Sequence, residues 1–224
     1  MCGRFTLVTE PDKLMERFML EQIGFELRPR YNIAPGQLVL AIIGNQGERR
    51  IGQLKWGLVP FWAKDEKIGY KMINAKSETI REKPAFKRLF TRKRCIIPAD
   101  GFYEWKQTGD GKQPMRIMLT DGGLFSMAAL YDTWENPDGQ QLHTCTVITT
   151  KPNDIVADIH DRMPVILRPE DEAIWLDREN ADEDLLQSLL VPYESSKMKA
   201  YPVSTMVGNV RNDVPECILE WSGT

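Results

Sequence analysis

From Gln37 onward the sequence is repeatedly broken into short apolar runs of strand length by Gly, Pro, Asn and Asp. A chain cut this way cannot build long helices, and neighbouring runs joined by short turns favour antiparallel pairing. Gln37 to Ile43 and Ile51 to Leu58 flank the turn-like Gly44-Asn45-Gln46-Gly47 and read as a hairpin. Further strands are expected at Arg94 to Pro98, Gly101 to Trp105, Met115 to Leu119, Leu124 to Tyr131, Thr144 to Thr149 and Pro164 to Leu167. Apolar spacing near the helical period predicts helices over Lys83 to Phe90, Asn153 to Ala157, Glu170 to Leu176 and Asp182 to Leu190. Another is expected to open at Thr9 and Asp12, bury Leu14, Met15 and Phe18, and end near Gly24. Tyr31 to Gly36, punctuated by Pro35 and Gly36, reads as a loop. The expected fold class is α+β: a mainly antiparallel sheet or partly closed barrel with peripheral helices. No repeat, low-complexity tract or linker divides it, so one domain is expected over residues 1–224.

No apolar run approaches the roughly 18 residues of a membrane span, and the start lacks the apolar stretch of a secretory signal. A cytoplasmic protein without membrane partners, and most simply a monomer, is expected. Cys2, Cys95, Cys145 and Cys217 are isolated from one another, against a disulfide framework. The histidines, His143 and His160, sit in no cysteine cluster of zinc-ligand spacing, so neither a metal nor a cofactor is expected. The net charge of −3 gives no whole-chain attraction for nucleic acid. Its distribution leaves two readings open. Arg81, Lys83, Lys87, Arg88, Arg92, Lys93 and Arg94 crowd one stretch, and acids crowd Glu170 to Asp184. The basic stretch is either a phosphate-binding surface or a solvated helix face.

Four segments place polar residues among apolar or aromatic neighbours. Cys2 is followed by Gly3, which lets backbone approach a ligand, and by Arg4, which can pair with a phosphate or carboxylate. Loss of Met1 would give Cys2 a free α-amine beside its thiol, with ordinary pKa values near ~8 and ~8.5. Such a residue can trap an aldehyde twice, as an imine and then as a thiazolidine ring. Glu104 lies in Phe102-Tyr103-Glu104-Trp105 and is either an outward carboxylate on an alternating strand or a desolvated acid–base. His160 is either a structural hydrogen-bonder or a proton-transfer group. Asn74 either orients a substrate hydroxyl or caps a turn.

Taken in order, Met1-Cys2-Gly3-Arg4-Phe5, Tyr31 to Gly36, Trp56-Gly57-Leu58-Val59-Pro60, Asn74 to Thr79, Gly101 to Trp105, Ile159 to Pro164 and Val207 to Val210 resemble the SRAP family, named for SOS-response-associated peptidases. The resemblance implies a partner, single-stranded DNA carrying abasic sites, to which the protein crosslinks through Cys2. It further implies that Asn74 positions the opened sugar, Glu104 shuttles protons during imine formation and His160 assists ring opening. An imine that fails to close its ring would give weak lyase activity. Arg4, Arg81, Lys87 and Arg88 are the implied phosphate contacts, and Trp62 or Phe61 the surface on which a base stacks. Lys76 stands where the family commonly has arginine, which keeps the charge and loses the bidentate fork. Two other readings stay open: a cysteine peptidase or self-processing amidase using Cys2, and a non-covalent single-strand binder.

Overall fold

The computed structural model describes residues 2–45, 47–109 and 111–222. In chain order its strands are β1 (Phe5–Leu7), β2 (Arg30–Ile33), β3 (Leu38–Asn45), β4 (Glu48–Trp56), β5 (Asn74–Lys76), β6 (Arg94–Ala99) and β7 (Gly101–Thr108). They continue with β8 (Gly111–Leu119), β9 (Phe125–Glu135), β10 (Gln141–Thr150), β11 (Met163–Pro164), β12 (Ile166–Leu167) and β13 (Met198–Pro202). The helices are α1 (Pro11–Phe18), α2 (Pro84–Arg92), α3 (Asp154–Ala157), α4 (Glu172–Leu176) and α5 (Glu183–Ser188). This is the expected α+β architecture.

Two sheets carry the fold. One runs β13-β8-β7-β1-β2. In the other, β4, β3, β6, β9 and β10 pair in succession, and β10 returns to β4 in parallel at Thr144↔Lys55 and Cys145↔Trp56, closing a five-stranded barrel. Closure removes the sheet edges that would otherwise need covering. Beyond the closure β10 also carries β5, in parallel, with Val147 opposite Asn74. One hydrophobic cluster draws on both sheets, including Phe5, Phe102 and Ile117 from the first and Ile42, Ile96 and Ala129 from the barrel. Aromatic pairs bridge them: Phe5 meets Trp56 edge-on at 5.3 Å and Phe102 meets Phe125 at 6.4 Å. Helices α2 and α4 cover β6 and β9, which explains why β6 is buried along its whole length. No helix among the described residues is long and apolar enough to cross a membrane.

Three expectations are corrected. Tyr31 to Ile33 is strand, not loop, because β2 pairs with β1 (Phe5↔Ile33) and only Ala34 onward turns. Helix α1 stops at Phe18 instead of near Gly24. Met19 takes a left-handed conformation at φ 53°, and its amide and that of Leu20 close the end onto the Glu16 and Met15 carbonyls. Thr9 does not cap it. The Thr9 amide and hydroxyl point instead to Asp100 Oδ2, at 3.1 and 3.2 Å. In the predicted turn after β3, Gly44 and Asn45 extend the strand opposite Arg49 and Glu48, and Gln46 lies outside the described residues.

Asp100 is the buried post to which the chain's beginning is tied. Its carboxylate accepts from the Thr6 hydroxyl (2.6 Å), the Val8 amide (2.6 Å) and Arg116 Nη2 (3.2 Å), itself buried. A Cβ on Gly101 would stand 2.7 Å from Arg116 Nε, so the strand start that follows Asp100 must be glycine. Asp100→Ala leaves Arg116 a buried, unpaired charge and should cost about 3–5 kcal/mol in urea unfolding. Asp100→Asn, which keeps an acceptor, should lose clearly less.

Candidate active site

Antiparallel register delivers Cys2 to its neighbours. β1 pairs with β7 at Phe5↔Phe102 and Thr6↔Gly101, and the Tyr103 amide donates to the Arg4 carbonyl at 3.0 Å. Running the same register outward sets Gly3 and Cys2 alongside Glu104 and Trp105. Along β7, Phe102 belongs to the core shared with the barrel and Tyr103 to a second cluster with Val203, Val207 and Cys217. Alternation therefore turns Glu104 inward with Phe102. Of the two readings of Glu104, the outward carboxylate is excluded: it is 2% exposed, and Cys2 beside it is 5% exposed.

The thiol of Cys2 lies within hydrogen-bonding reach of the Glu104 carboxylate. Asn74, delivered by β5, donates from Nδ2 to the Cys2 carbonyl at 3.1 Å. Its Oδ1 and Glu104 Oε1 are buried without a hydrogen-bond partner among the described residues. Two buried acceptors in one site ask for a donor that the described residues do not supply. His160, after α3, brings Nε2 to 3.8 Å from Glu104 Oε2. The Arg162 amide donates to His160 Nδ1 at 3.0 Å. The Arg162 carbonyl lies 3.2 Å from the same nitrogen, so the ring proton faces Glu104 from Nε2 when Nδ1 accepts from the amide, and sits on Nδ1 when the ring donates to the carbonyl. Asp161 Oδ1, 3.1 Å from Nδ1, would favour the protonated ring, but it is largely in solvent.

Burial pushes all three titrating groups toward neutrality. It raises the Cys2 thiol well above its usual value, with the nearby Glu104 charge acting in the same direction. It lifts Glu104 to about 7 against a Cys2 hydrogen bond that pulls the other way. It lowers His160, against the pull of the Arg162 backbone and Asp161. The sequence expectation of a thiol near its ordinary value is thereby corrected: at neutral pH the sulfur is protonated and needs a base, and Glu104 is the carboxylate within reach.

Arg162 and Glu78 stand inside the segments that carry His160 and Asn74, yet sequence reading gives them no role. Arg162 grips Glu78 with two bonds of 2.7 and 2.9 Å and donates to the Thr149 carbonyl on β10 at 2.7 Å. This bidentate pair ties the His160 loop to β10 and to the turn after β5, holding His160 and Asn74 in one frame.

The expected DNA-contact residues fall into different settings. Lys76 is exposed on the same face of β5 as Asn74. Arg4 is part-buried and donates inward, to Asn32 Oδ1 (2.9 Å), the Val207 carbonyl (2.5 Å) and the Gly208 carbonyl (3.1 Å). Arg81 is matched by Glu183 and Asp184 at 2.9 and 2.8 Å, so the basic and acidic stretches partly neutralise each other in space. Arg94 is buried, bonded to the carbonyls of Trp175, Phe90, Asp177 and Asn180, and contributes nothing to a basic surface. Lys87 is exposed, and Arg88 lies over the Phe61 ring at 4.3 Å beside an exposed Trp62.

The fold and site define an α+β protein in which a cysteine at the start of the chain is seated against a buried carboxyl–imidazole pair. The chain belongs to the SRAP family, described as SOS response associated peptidase, whose match covers residues 1–210. Among its relatives is the abasic site processing protein YoqW of Bacillus subtilis, 54% identical over 221 residues that cover 97% of this chain and 99% of the relative. The abasic site processing protein YedK of Escherichia coli is 34% identical over 227 residues, covering 97% of this chain and 99% of that one. A crystal structure of a protein from Bacteroides thetaiotaomicron matches with a TM-score of 0.88 at 30% identity, over 98% of this chain and 100% of that one.

A carboxyl group with a raised folded-state pKa binds protons that the unfolded chain has already released. Glu104 therefore makes stability fall as pH rises from its ordinary 4.5 through about 7. Glu104→Gln lacks this loss, so its stability relative to the parent should rise by about 3 kcal/mol between pH 4 and pH 8. Paired urea titrations at the two pH values measure it.

Proposed function

We propose that this protein processes abasic sites and does so covalently, in single-stranded DNA, with Cys2 as the nucleophile. The observation that carries the reading is the convergence of Cys2, Asn74, Glu104 and His160, from four separate stretches of chain, around two buried acceptors that have no donor among the described residues. The names of the relatives, both abasic site processing proteins, point the same way. In this proposal one domain acts as a monomer in the cytoplasm.

The chemistry follows from the groups present. The abasic sugar exists partly as an open-chain aldehyde, and His160 assists the opening: Nε2–H hands a proton to the ring oxygen while the C1′ hydroxyl proton, released as the C=O forms, passes through the Glu104 carboxylate back to Nε2. The Cys2 amine adds to the aldehyde carbon and water leaves, giving an imine. Glu104, poised near neutral pH, takes the thiol proton as sulfur bonds to the same carbon, and that proton ends on the nitrogen. One C–N and one C–S bond form, and one water is released. Asn74 Oδ1, which has no partner among the described residues, receives a sugar hydroxyl in this arrangement. Lys76 and Lys87 would meet phosphates, Trp62 and Arg88 a base; Arg4 and Arg81 already have their charge engaged within the protein.

The amine must be free, and Met1 lies outside the described residues. Intact mass of the purified protein should therefore come out one methionine residue lighter than the full sequence; a retained Met1 overturns the mechanism. Incubation with an abasic oligonucleotide should give an adduct that survives heating in a denaturing gel, with a mass equal to the two components less one water. Cys2→Ala should abolish the heat-stable product. Glu104→Gln should slow its formation by about 100-fold, the usual size of a lost general acid–base. An equally heat-stable adduct in Cys2→Ala would show that the sulfur closes no ring.

A further inference from the structure

Between β4 and β5 the chain makes an excursion that exposes Phe61 (54%) and Trp62 (50%), large aromatic side chains that a folded chain ordinarily covers. The excursion is nevertheless held firmly. At its base Gly57, at φ 134°, passes Gly69 so closely that a Cβ would stand 2.7 Å from the Gly69 carbonyl oxygen. The Val59 amide donates to Thr144 Oγ1 at 2.9 Å, and Trp134 Nε1 donates to the Ala63 carbonyl at 2.7 Å. Between these two anchors the Phe61 amide donates to Asp132 Oδ2 at 2.9 Å.

Asp132 is 1% exposed, and its other oxygen is equally engaged. Oδ1 accepts from Lys93 Nζ at 2.7 Å and from the Thr133 amide at 2.9 Å, with Arg88 Nη2 at 3.9 Å. Arg88, from α2, lays its guanidinium over the Phe61 ring. A single buried carboxylate thus fixes the aromatic loop by its backbone and lies beside the Arg88 guanidinium that α2 sets over the aromatic ring. A planar cation stacked on a ring, next to a second exposed ring, is a surface that nucleobases stack on with little regard to sequence.

We propose that Asp132 is a positioning residue for single-stranded DNA: it holds Phe61, Trp62 and Arg88 as a preformed stacking surface, so that little ordering is left to do when a strand binds. The inference rests on the single-strand reading above but not on the Cys2 chemistry. Its direction is opposite to what charge alone would give. Asp132 is an anion on a face meant for a polyanion, and deleting its charge should by electrostatics tighten binding.

The test is equilibrium binding of an undamaged, fluorescein-labelled single-stranded oligonucleotide, which cannot crosslink through an abasic aldehyde, at fixed salt. Asp132→Ala should bind about five- to tenfold more weakly than the parent, the size expected for part of one stacking contact. Asp132→Asn, which retains an acceptor for the Phe61 amide, should fall between the two. Phe61→Ala, a surface change that leaves the core intact, completes a cycle: added to Phe61→Ala, Asp132→Asn should cost little further. Unchanged or tighter binding by Asp132→Asn, or fully additive losses in the double variant, overturns the positioning role. Failure of the parent to bind the undamaged strand even at low salt overturns the single-strand reading itself, and the positioning role with it.

Discussion

The antiparallel pairing of β1 with β7 sets Phe5 opposite Phe102 and Thr6 opposite Gly101, and the position of Cys2 follows from that register. β1 is only three residues long, so its backbone bonds alone would hold it weakly. The side chains around it supply the rest. Asp100 collects the Thr6 hydroxyl and the Val8 and Thr9 amides on the far side. On the near side Arg4 locks onto Asn32 and the carbonyls of Val207 and Gly208. Asn32 in turn binds the carbonyls of Val207, Asn209 and Asn212. The C-terminal segment thereby covers the outer face of the first sheet, and the first cysteine of the chain is held between two layers instead of fraying as chain ends usually do.

That burial determines the electrostatics of the site. Cys2 and Glu104 are both pushed toward their protonated forms and His160 toward its neutral form, each by desolvation first. All three groups are thus biased toward their uncharged forms, which suits the approach of phosphates, and Glu104, at about 7, is the one poised to exchange a proton near neutral pH. The same burial leaves acceptors on Asn74 and Glu104 without a partner among the described residues, a cost that a substrate hydroxyl or amine would relieve. Rigidity comes from the Arg162–Glu78 pair, which fastens the loop carrying His160 beside the strand carrying Asn74.

Much of this was legible in the residues. Strands β6, β9 and β10 of the barrel show as apolar runs because most of their residues are buried on both faces, and they lie within two or three residues of their expected ends at most boundaries. What escaped were strands whose identity comes from a partner. β1, β5 and β13 are three to five residues long and carry no alternation of their own, and β2 was masked by the adjacent Pro35-Gly36. Glu104 was ambiguous for a related reason. Tyr103 and Glu104 are both buried, because the C-terminal segment covers one face of β7 and the barrel the other, so the usual inward–outward contrast is absent. The charge runs misled in part, since separation along the chain is not separation in space: Arg81 meets Glu183 and Asp184, and Arg94 turns into the core.

The account stands on Cys2 joining one sugar carbon through both its nitrogen and its sulfur while Glu104 manages the proton. A crystal structure of the adduct formed with an abasic oligonucleotide tests this most directly. The account predicts a five-membered ring containing the Cys2 nitrogen, Cα, Cβ and Sγ and the sugar C1′, with the Glu104 carboxyl within hydrogen-bonding distance of the ring nitrogen. A sugar bonded to a lysine, or to Cys2 through one atom only, would contradict it.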